Sequence, residues 1–355
     1  MAPEKCEEPV DLSVVIPSYN SATWLPSTLN ALTRALAKAS GLRAEVIIVD
    51  DGSTDDTREV LAGLESASPY PLRVIHQANA GRFLARWAGA NAALSPTMLL
   101  LDSRVLIHED ALAFHFSEAP RATVRNANVV LEPSAPLVGM FWEVPTYLFW
   151  GRYLANRRPT TITPSNFDRV PKGTTCLLLP TRLFTTSCQA TWPVGDPRLT
   201  SDDTRLLRHI VGVTPLQLDP RFSATYRART TLRGFLRHSF SRGSLFVDSY
   251  WGTRVARTAA LIVLAVAPPL LAGTLVALAG AGQWATFGGL AGAGLAALLA
   301  PTLVAAARGC GGRAVAAYVV LVVPFGVVFW AGLVRGVAHR RSRAKAKQDG
   351  RAARQ

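Results

Sequence analysis

Cysteine is scarce in this chain. Of its 355 residues only Cys6, Cys176, Cys188 and Cys310 are cysteines, and none share a Cys-x-x-Cys spacing. That excludes a disulfide-stapled secreted module and a zinc finger, and leaves single thiols suited to a reducing compartment. The N-terminal stretch MAPEKCEEPVDL lacks an apolar core, so no signal peptide is expected and the front of the chain is expected on the cytoplasmic face. Acidic residues are the minority charge, 24 against 38 Lys and Arg, for a formal net charge of +14. No nucleic-acid reader motif accompanies that excess, so nucleic acid is not an expected partner. The basic residues instead crowd into 221–257 and 335–354, both beside apolar segments, which points to an anionic membrane surface. No internal repeat is present.

Charge is missing altogether from about 258–282, 284–307 and 314–334. Crossing a hydrocarbon core of about 30 Å takes ~20 residues, so each stretch is long enough, and their Gly and Ala content suits close helix packing in lipid. The glycine-bounded turn at 280–283 makes the first two a hairpin, which returns Arg308 and Arg313 to the starting side, as the positive-inside rule prefers. A third crossing would export Arg340, Arg341, Arg343, Lys345 and Lys347, against that rule. Pro324-Phe325-Gly326 offers a break or kink in the third stretch, so two and three crossings both stay open.

The front of the chain alternates strand and helix signals. Strands are expected near 11–17, 44–50, 72–77, 97–102 and 127–132, and helices over 23–39, 55–65, 82–94 and 109–117. Such alternation means parallel strands with right-handed crossovers. Pro17 cannot donate to a central ladder, so the first strand is expected to stop there, before Ser18, Tyr19 and Asn20. The second runs through Ile47-Ile48-Val49 into Asp50, Asp51, Gly52 and Ser53. Ligands of open α/β sheets bind outside the carboxyl ends of strands. Carboxylates there accept from a base N–H or a ribose hydroxyl and repel a bare phosphate, so a nucleoside is the better guest. The bland alternative is that Ser53 or Asp55 simply caps the next helix.

Further segments follow in order: Asn79-Ala80-Gly81 with Ala85-Arg86, then Asp102-Ser103-Arg104, then Ser201-Asp202-Asp203. Over roughly residues 10–250 this series resembles the family 2 glycosyltransferases of the GT-A fold. The resemblance implies a Rossmann-like, mostly parallel sheet with helices on both faces, followed here by an α-helical membrane region. It implies a nucleotide-sugar donor held by Pro17–Asn20, Asp50–Ser53, Gly81 and Arg86. It also implies a catalytic base at Asp203, with Asp202 orienting its neighbours, and inversion in a single displacement. Asp202 or Ser201 starting a helix is the bland reading of that pair. Trp87 stands where the family usually has Asn. Arg104 stands where it has the second Asp of Asp-x-Asp, which holds Mg²⁺ or Mn²⁺ on the diphosphate. Asp102 alone can serve as metal ligand, or Arg104 can itself pair with a phosphate.

The implied organisation is a tail over 1–10, a GT-A domain over 11–230 (nucleotide half 11–132, acceptor half 133–230), a basic interfacial segment 231–257, membrane helices over 258–337 and a basic tail 338–355. Phe141, Trp142, Tyr147, Phe149, Trp150 and Tyr153 form an aromatic group that reads as core, acceptor wall or membrane-interface surface. Leu232, Leu236 and Phe240 recur at i+4 beside Arg233 and Arg237, an amphipathic basic helix for the interface. His238 and Arg242 are candidates to cover the diphosphate or a lipid phosphate. The expected activity is inverting transfer from a nucleotide sugar to a lipid-linked or cell-envelope glycan acceptor at the cytoplasmic face. Synthesis of a polyprenyl-phosphate sugar is the rival, and a catalytically degenerate membrane scaffold, suggested by Arg104 and Trp87, the third reading.

Overall fold

The computed structural model describes residues 9–118, 123–193, 196–201 and 203–352, with side chains through Arg340. Two compact units divide these residues: one holds the chain up to Pro133 together with Asn156–Ala228, the other Ser134–Ala155 together with everything from Arg229 onward.

The first unit is built on a nine-stranded mixed sheet. Its first half consists of β1 (Leu12–Ser18), β2 (Ala44–Asp51), β3 (Leu72–Gln77) and β4 (Thr97–Leu101), interleaved with helices α1 (Leu25–Lys38), α2 (Thr57–Ala67) and α3 (Arg82–Ala92). These four strands are all parallel, in the order β3-β2-β1-β4. Side chains alternate across the sheet. Val14, Ile16, Val46 and Ile48 bury against Leu25, Leu32 and Leu36 of α1. On the opposite face, a Cβ added at Gly89 of α3 would sit 2.3 Å from Val15 Cγ1. Both faces are therefore covered, as nearly continuous Val/Ile/Leu runs require.

The other half adds β5 (Val105–Ile107), α4 (Ala111–Glu118), β6 (Arg125–Leu131), β7 (Thr160–Ile162), β8 (Cys176–Pro180), α7 (Thr181–Ala190), α8 (Thr204–Val213) and β9 (Leu216–Tyr226), with α5 (Leu137–Met140) and α6 (Glu143–Ala155) falling in the second unit. Here β8 runs antiparallel to β4 and β6, and β5 and β7 antiparallel to β9. The long β9 escaped the sequence reading because Asp219-Pro220-Arg221 looks like a turn. It is a bulge: the β6–β9 register shifts between Ala127 and Asn128, and Asp219 Oδ1 accepts from Arg221 N at 2.9 Å. A proline within a strand is tolerated at such a site. Pro17 also lies within a strand. β1 continues to Ser18, pairing with β2 as far as Asp50, while its ladder with β4 has already ended at Val15.

In the second unit α9 (Leu232–Tyr250), α10 (Val255–Gly280), α11 (Trp284–Ala307) and α12 (Gly312–Ala352) follow one another. Three helices here are long and apolar enough to cross a membrane: α10, α11 and the Gly312–Arg340 part of α12. Of the alternatives left open at Pro324, a break does not occur, and α12 runs through it as one helix. The expected stripe on α9 is also displaced. Phe235, Ser239, Gly243 and Val247 are buried, whereas Leu232 is half exposed. The reason is backbone approach: a Cβ on Gly243 would stand 2.2 Å from Phe329 O, and one on Gly332 would clash with Phe240 O. Ser244 Oγ donates to Gly332 O at 2.7 Å, and Asp248 pairs with Arg340. Phe141 is fully buried, stacked on Tyr318 at 5.1 Å and close to Phe235 and Phe325, so it is core in this unit. Trp150 leaves helical geometry and kinks α6; Arg308 donates to the carbonyls of Tyr147 and Leu148 beside that kink.

Candidate active site at the carboxyl edge of the sheet

Asp50 and Asp51 end β2 and are both buried. Asp50 Oδ1 accepts from Ser53 N at 3.0 Å, and Oδ2 lies 3.0 Å from His76 Nδ1. Burial works to raise this carboxyl, but hydrogen bonds from Ser53 and His76 outweigh it and hold Asp50 below its ordinary range. Asp51 Oδ1 accepts from Gln77 Nε2 (2.7 Å) and Ala80 N (2.8 Å), while Oδ2 accepts from Gly81 N (2.8 Å). It thereby ties the end of β2 to the start of α3. His76 and Gln77 are the residues of β3 in register with Asp50 and Asp51. Sequence reasoning missed them because only strand pairing puts them there.

Two glycines make the edge possible. Gly52 has φ 71°, and a Cβ there would meet Asn79 N at 2.7 Å; Gly81 has φ 90°, with Arg198 Cα at 2.8 Å. Asn20, at φ 50°, donates its N–H to Ser53 Oγ (2.9 Å) and accepts from Thr54 N (2.8 Å), locking the end of β1 to the same loop. Tyr19 is half exposed at the rim, and Ser18 Oγ is buried with no hydrogen-bond partner among the described residues. At the start of α2 the N-cap residue Asp56 makes no side-chain capping bond, while Asp55 before it accepts from Thr57 N and Oγ1.

Arg86 is buried in α3 and donates to Asp102 Oδ1 at 2.5 Å. Ser103 is held through its hydroxyl by Ser21 Oγ (2.9 Å) and through its carbonyl by Thr28 Oγ1 (2.9 Å). Arg104 is engaged inside the unit. Its guanidinium lies 3.9 Å from the Trp24 ring centroid and donates to Arg227 O (3.1 Å) and Ala228 O (2.5 Å). Arg242 belongs to the second unit, where it lies over the Trp142 ring and donates to His238 Nε2 at 3.2 Å.

Asp202 lies outside the described residues. Asp203 occupies the N-cap position of α8, but its side chain makes no capping bond. Its Oδ2 is 3.7 Å from where a Cβ of Gly173 would be. Thr175, two residues on, accepts from Asp102 N at 2.8 Å. The short run 173–175 therefore lies against both Asp102 and Asp203, which are far apart in sequence. Asn126 of β6 fixes that run, accepting from Gly173 N (3.1 Å) and donating to Gly173 O (2.7 Å). Beside it Lys172 is half-buried, and the partial loss of solvent brings its ammonium down to about 8 against the pull of Asp203 and Asp168. Neither Asn126 nor Lys172 was singled out in the sequence; a lysine preceding the Gly-Thr-Thr strand lead was the available signal.

Among the described residues no three His, Cys, Asp or Glu side chains converge as a metal cage. What the edge offers a cation is Asp102, oriented by Arg86 and still 20% exposed. A divalent ion riding on a diphosphate needs only one or two protein carboxylates, so this donor set fits such an ion. The described cysteines are free and buried, and burial pushes the Cys176 and Cys188 thiols well up. They are inert.

A half-parallel sheet with ligand-ready loops at one carboxyl edge defines the GT-A class. The chain superposes with TM-score 0.53 on a mannosyltransferase from Pyrobaculum calidifontis solved with GDP-Man and Mn²⁺, covering 89% of this chain and 88% of that one at 17% identity. Residues 13–118 match the family model for glycosyl transferase family 2. It is 35% identical over 131 residues to validoxylamine A glucosyltransferase of Streptomyces hygroscopicus, covering 35% of this chain and 30% of the relative. It is 39% identical over 94 residues to the undecaprenyl-phosphate 4-deoxy-4-formamido-L-arabinose transferase of Pseudomonas savastanoi, covering 26% and 27%. The match thus spans less than a third of each of these relatives.

Proposed function

We propose that the protein is a membrane-anchored inverting glycosyltransferase that moves a sugar from a nucleotide-sugar donor to a lipid-linked or cell-envelope glycan at the cytoplasmic face. One observation carries the reading: a continuous chain of contacts joins the separate motifs at one sheet edge. Asp51 binds the start of α3, Arg86 of α3 binds Asp102, Asp102 binds Thr175, and Gly173 lies under Asp203.

In this reading Ser18, Tyr19 and Asn20 of β1 and the Asp50–Ser53 loop receive the nucleoside. Ser18 Oγ, buried and without a partner among the described residues, is a ready hydrogen-bonding group for it. Gly81 and Arg86 line the approach to the diphosphate. Asp102 would hold Mg²⁺ or Mn²⁺, which supplies charge neutralisation to the leaving diphosphate. Asp203 takes the proton from the acceptor hydroxyl as the sugar carbon is attacked, and Asp202 orients the acceptor beside it. Arg104 then acts as a latch between the β4–β5 connection and the end of β9, since its guanidinium is already spent on Trp24 and two carbonyls.

A second reading, synthesis of a polyprenyl-phosphate sugar, is favoured by the undecaprenyl-phosphate relative and the three apolar helices. Thermal shift of the purified chain with UDP, GDP, TDP and CDP, with and without Mn²⁺, tests the donor site and names the base. Donor-dependent release of nucleoside diphosphate with a glycan lipid, against a bare polyprenyl phosphate, separates the two acceptors. No thermal response to any nucleotide would sink both and leave a scaffold.

A further inference from the structure

Both ends of α12 lie at the same end of the α10–α11 hairpin. The hairpin turns at 281–283, and Leu271 of α10 sits beside Gly294 of α11, so the start of α10 and the end of α11 are level. α12 begins at Gly312, just past the end of α11 at Ala307. Its later turns come back to the first turns of α10. Leu333 and Val337 cluster with Leu261, and Trp330 Nε1 donates to Ala265 O at 2.9 Å. Three upright helices in series would instead carry Leu333 and Val337 to the level of the turn, roughly 25 Å beyond Leu261 at ~1.5 Å per residue. α12 therefore runs across the base of the hairpin.

α9 follows α12 in the same direction. Phe235 meets Phe325, Gly243 meets Phe329, Ser244 bonds Gly332 and Asp248 pairs with Arg340. Contact this close, backbone to backbone, gives the two helices a common depth. α9 carries Arg233, Arg237, His238, Arg242 and Asp248. A crossing α12 would draw those ionisable side chains through hydrocarbon, where charge is costly. The faces of α12 agree. Leu321, Val322, Gly332, Leu333 and Val337 are buried, whereas Ala316, Val320, Val323, Val327 and Val334 are exposed. The exposed set recurs at helical spacing on the opposite face and holds no charge.

We infer that α12 is a surface helix whose valine face rests on the acyl boundary of the membrane, so that only α10 and α11 cross; this rests on the membrane-anchored reading. A length and hydropathy that fit a span fit equally a helix covered on one face by protein and on the other by lipid. The exposed Arg313 and Arg335 then lie level with anionic headgroups. The basic tail stays on the side of Arg308 and Arg313, and the conflict with the positive-inside rule disappears.

The test uses the full chain in bacterial membranes, with Cys6→Ser and one of Gln283→Cys, Gly311→Cys or Gln355→Cys; the other cysteines are free and buried. An impermeant maleimide is added to spheroplasts and to inverted vesicles. Gly311→Cys and Gln355→Cys should react from one side and Gln283→Cys from the other. Gln355→Cys reacting from the side of Gln283→Cys means that α12 crosses, and overturns the inference. Depth gives a second measurement. A fluorophore on Val320→Cys, Val327→Cys or Val334→Cys should be quenched by brominated lipids at depths agreeing within about 5 Å, where a crossing helix would spread them over about 20 Å. No quenching at any of the three puts the valine face in water and also overturns the inference. If Gln283→Cys and Gly311→Cys react from the same side, or the chain does not sediment with membranes, the membrane-anchored reading itself fails and the inference with it.

Discussion

The end of β2 and the meeting of β4 with α8 are both carboxylate sites, yet they are built in opposite ways. Asp50 and Asp51 are saturated by neighbours on their own and the adjacent strand, including the N–H groups of Ser53, Ala80 and Gly81. Asp102 and Asp203 come from separate elements. They are brought together by residues 173–175, themselves held by Asn126 from another strand. The first site is a fixed rim. In the second, Asp102 takes its side-chain partner from a different element, Arg86 of α3. Rigid donors suit recognition, whereas chemistry needs a carboxylate whose proton affinity can be set.

That contrast can be broken by mutation. The largest effect is expected for Asp203→Asn, a loss of about 10²–10⁴-fold in transfer with nucleotide binding intact, read by turnover and thermal shift. Asp102→Ala should also abolish transfer without unfolding the chain, and full turnover of that variant in EDTA would remove Asp102 and the metal from the mechanism together. On the rim the effects should fall on stability. Gly52→Val combines a positive φ with a 2.7 Å approach to Asn79 N, and about 3 kcal/mol of destabilisation is expected in denaturant unfolding. Asp51→Ala leaves the N–H groups of Ala80 and Gly81 without their acceptor, worth about 2–3 kcal/mol, and should weaken nucleotide binding as the loop loosens.

Smaller effects sharpen the difference. Asp50 has a depressed folded-state pKa, so its stabilisation is fully present above the ordinary aspartate value. It is lost as pH falls through the depressed value. Acid unfolding of Asp50→Asn should therefore be less steep than that of wild type below pH ~4. Arg104→Ala should cost about 1–2 kcal/mol and change transfer by less than about tenfold, because its guanidinium binds Trp24 and two carbonyls. A hundredfold loss with unchanged stability would return Arg104 to the phosphate.

How well each region could be read in the sequence follows the same divide. The parallel half announced itself, because its strands are unbroken Val/Ile/Leu runs ending in turn residues, and strand ends place Asp50, Asp51 and Asp102 without further information. The mixed half was legible only in part, at α4 and β6. β9 is interrupted by Pro220 at a bulge, and β5 and β7 are three residues each, too short for any period to register. Lys172 owes its lowered ammonium to partial burial, which a Pro-Lys-Gly tripeptide does not show. Arg104 looked like a free cation at a strand end and is a stacked latch. On α9 the apolar i+4 row at Leu232, Leu236 and Phe240 drew the eye, yet the face that packs is the one bearing small residues, since glycine lets two backbones meet.

That meeting of Gly243 with Gly332 and Phe329 has a mechanical consequence. A helix held backbone to backbone along α12, pinned by Ser244 and by the Asp248–Arg340 pair, can neither roll about its axis nor slide. Arg233 and Arg237, exposed on that helix, are therefore carried on a backbone fixed against α12, as teeth cut on a keyed shaft are. An anionic group captured there would have to order the two side chains but not the helix that carries them.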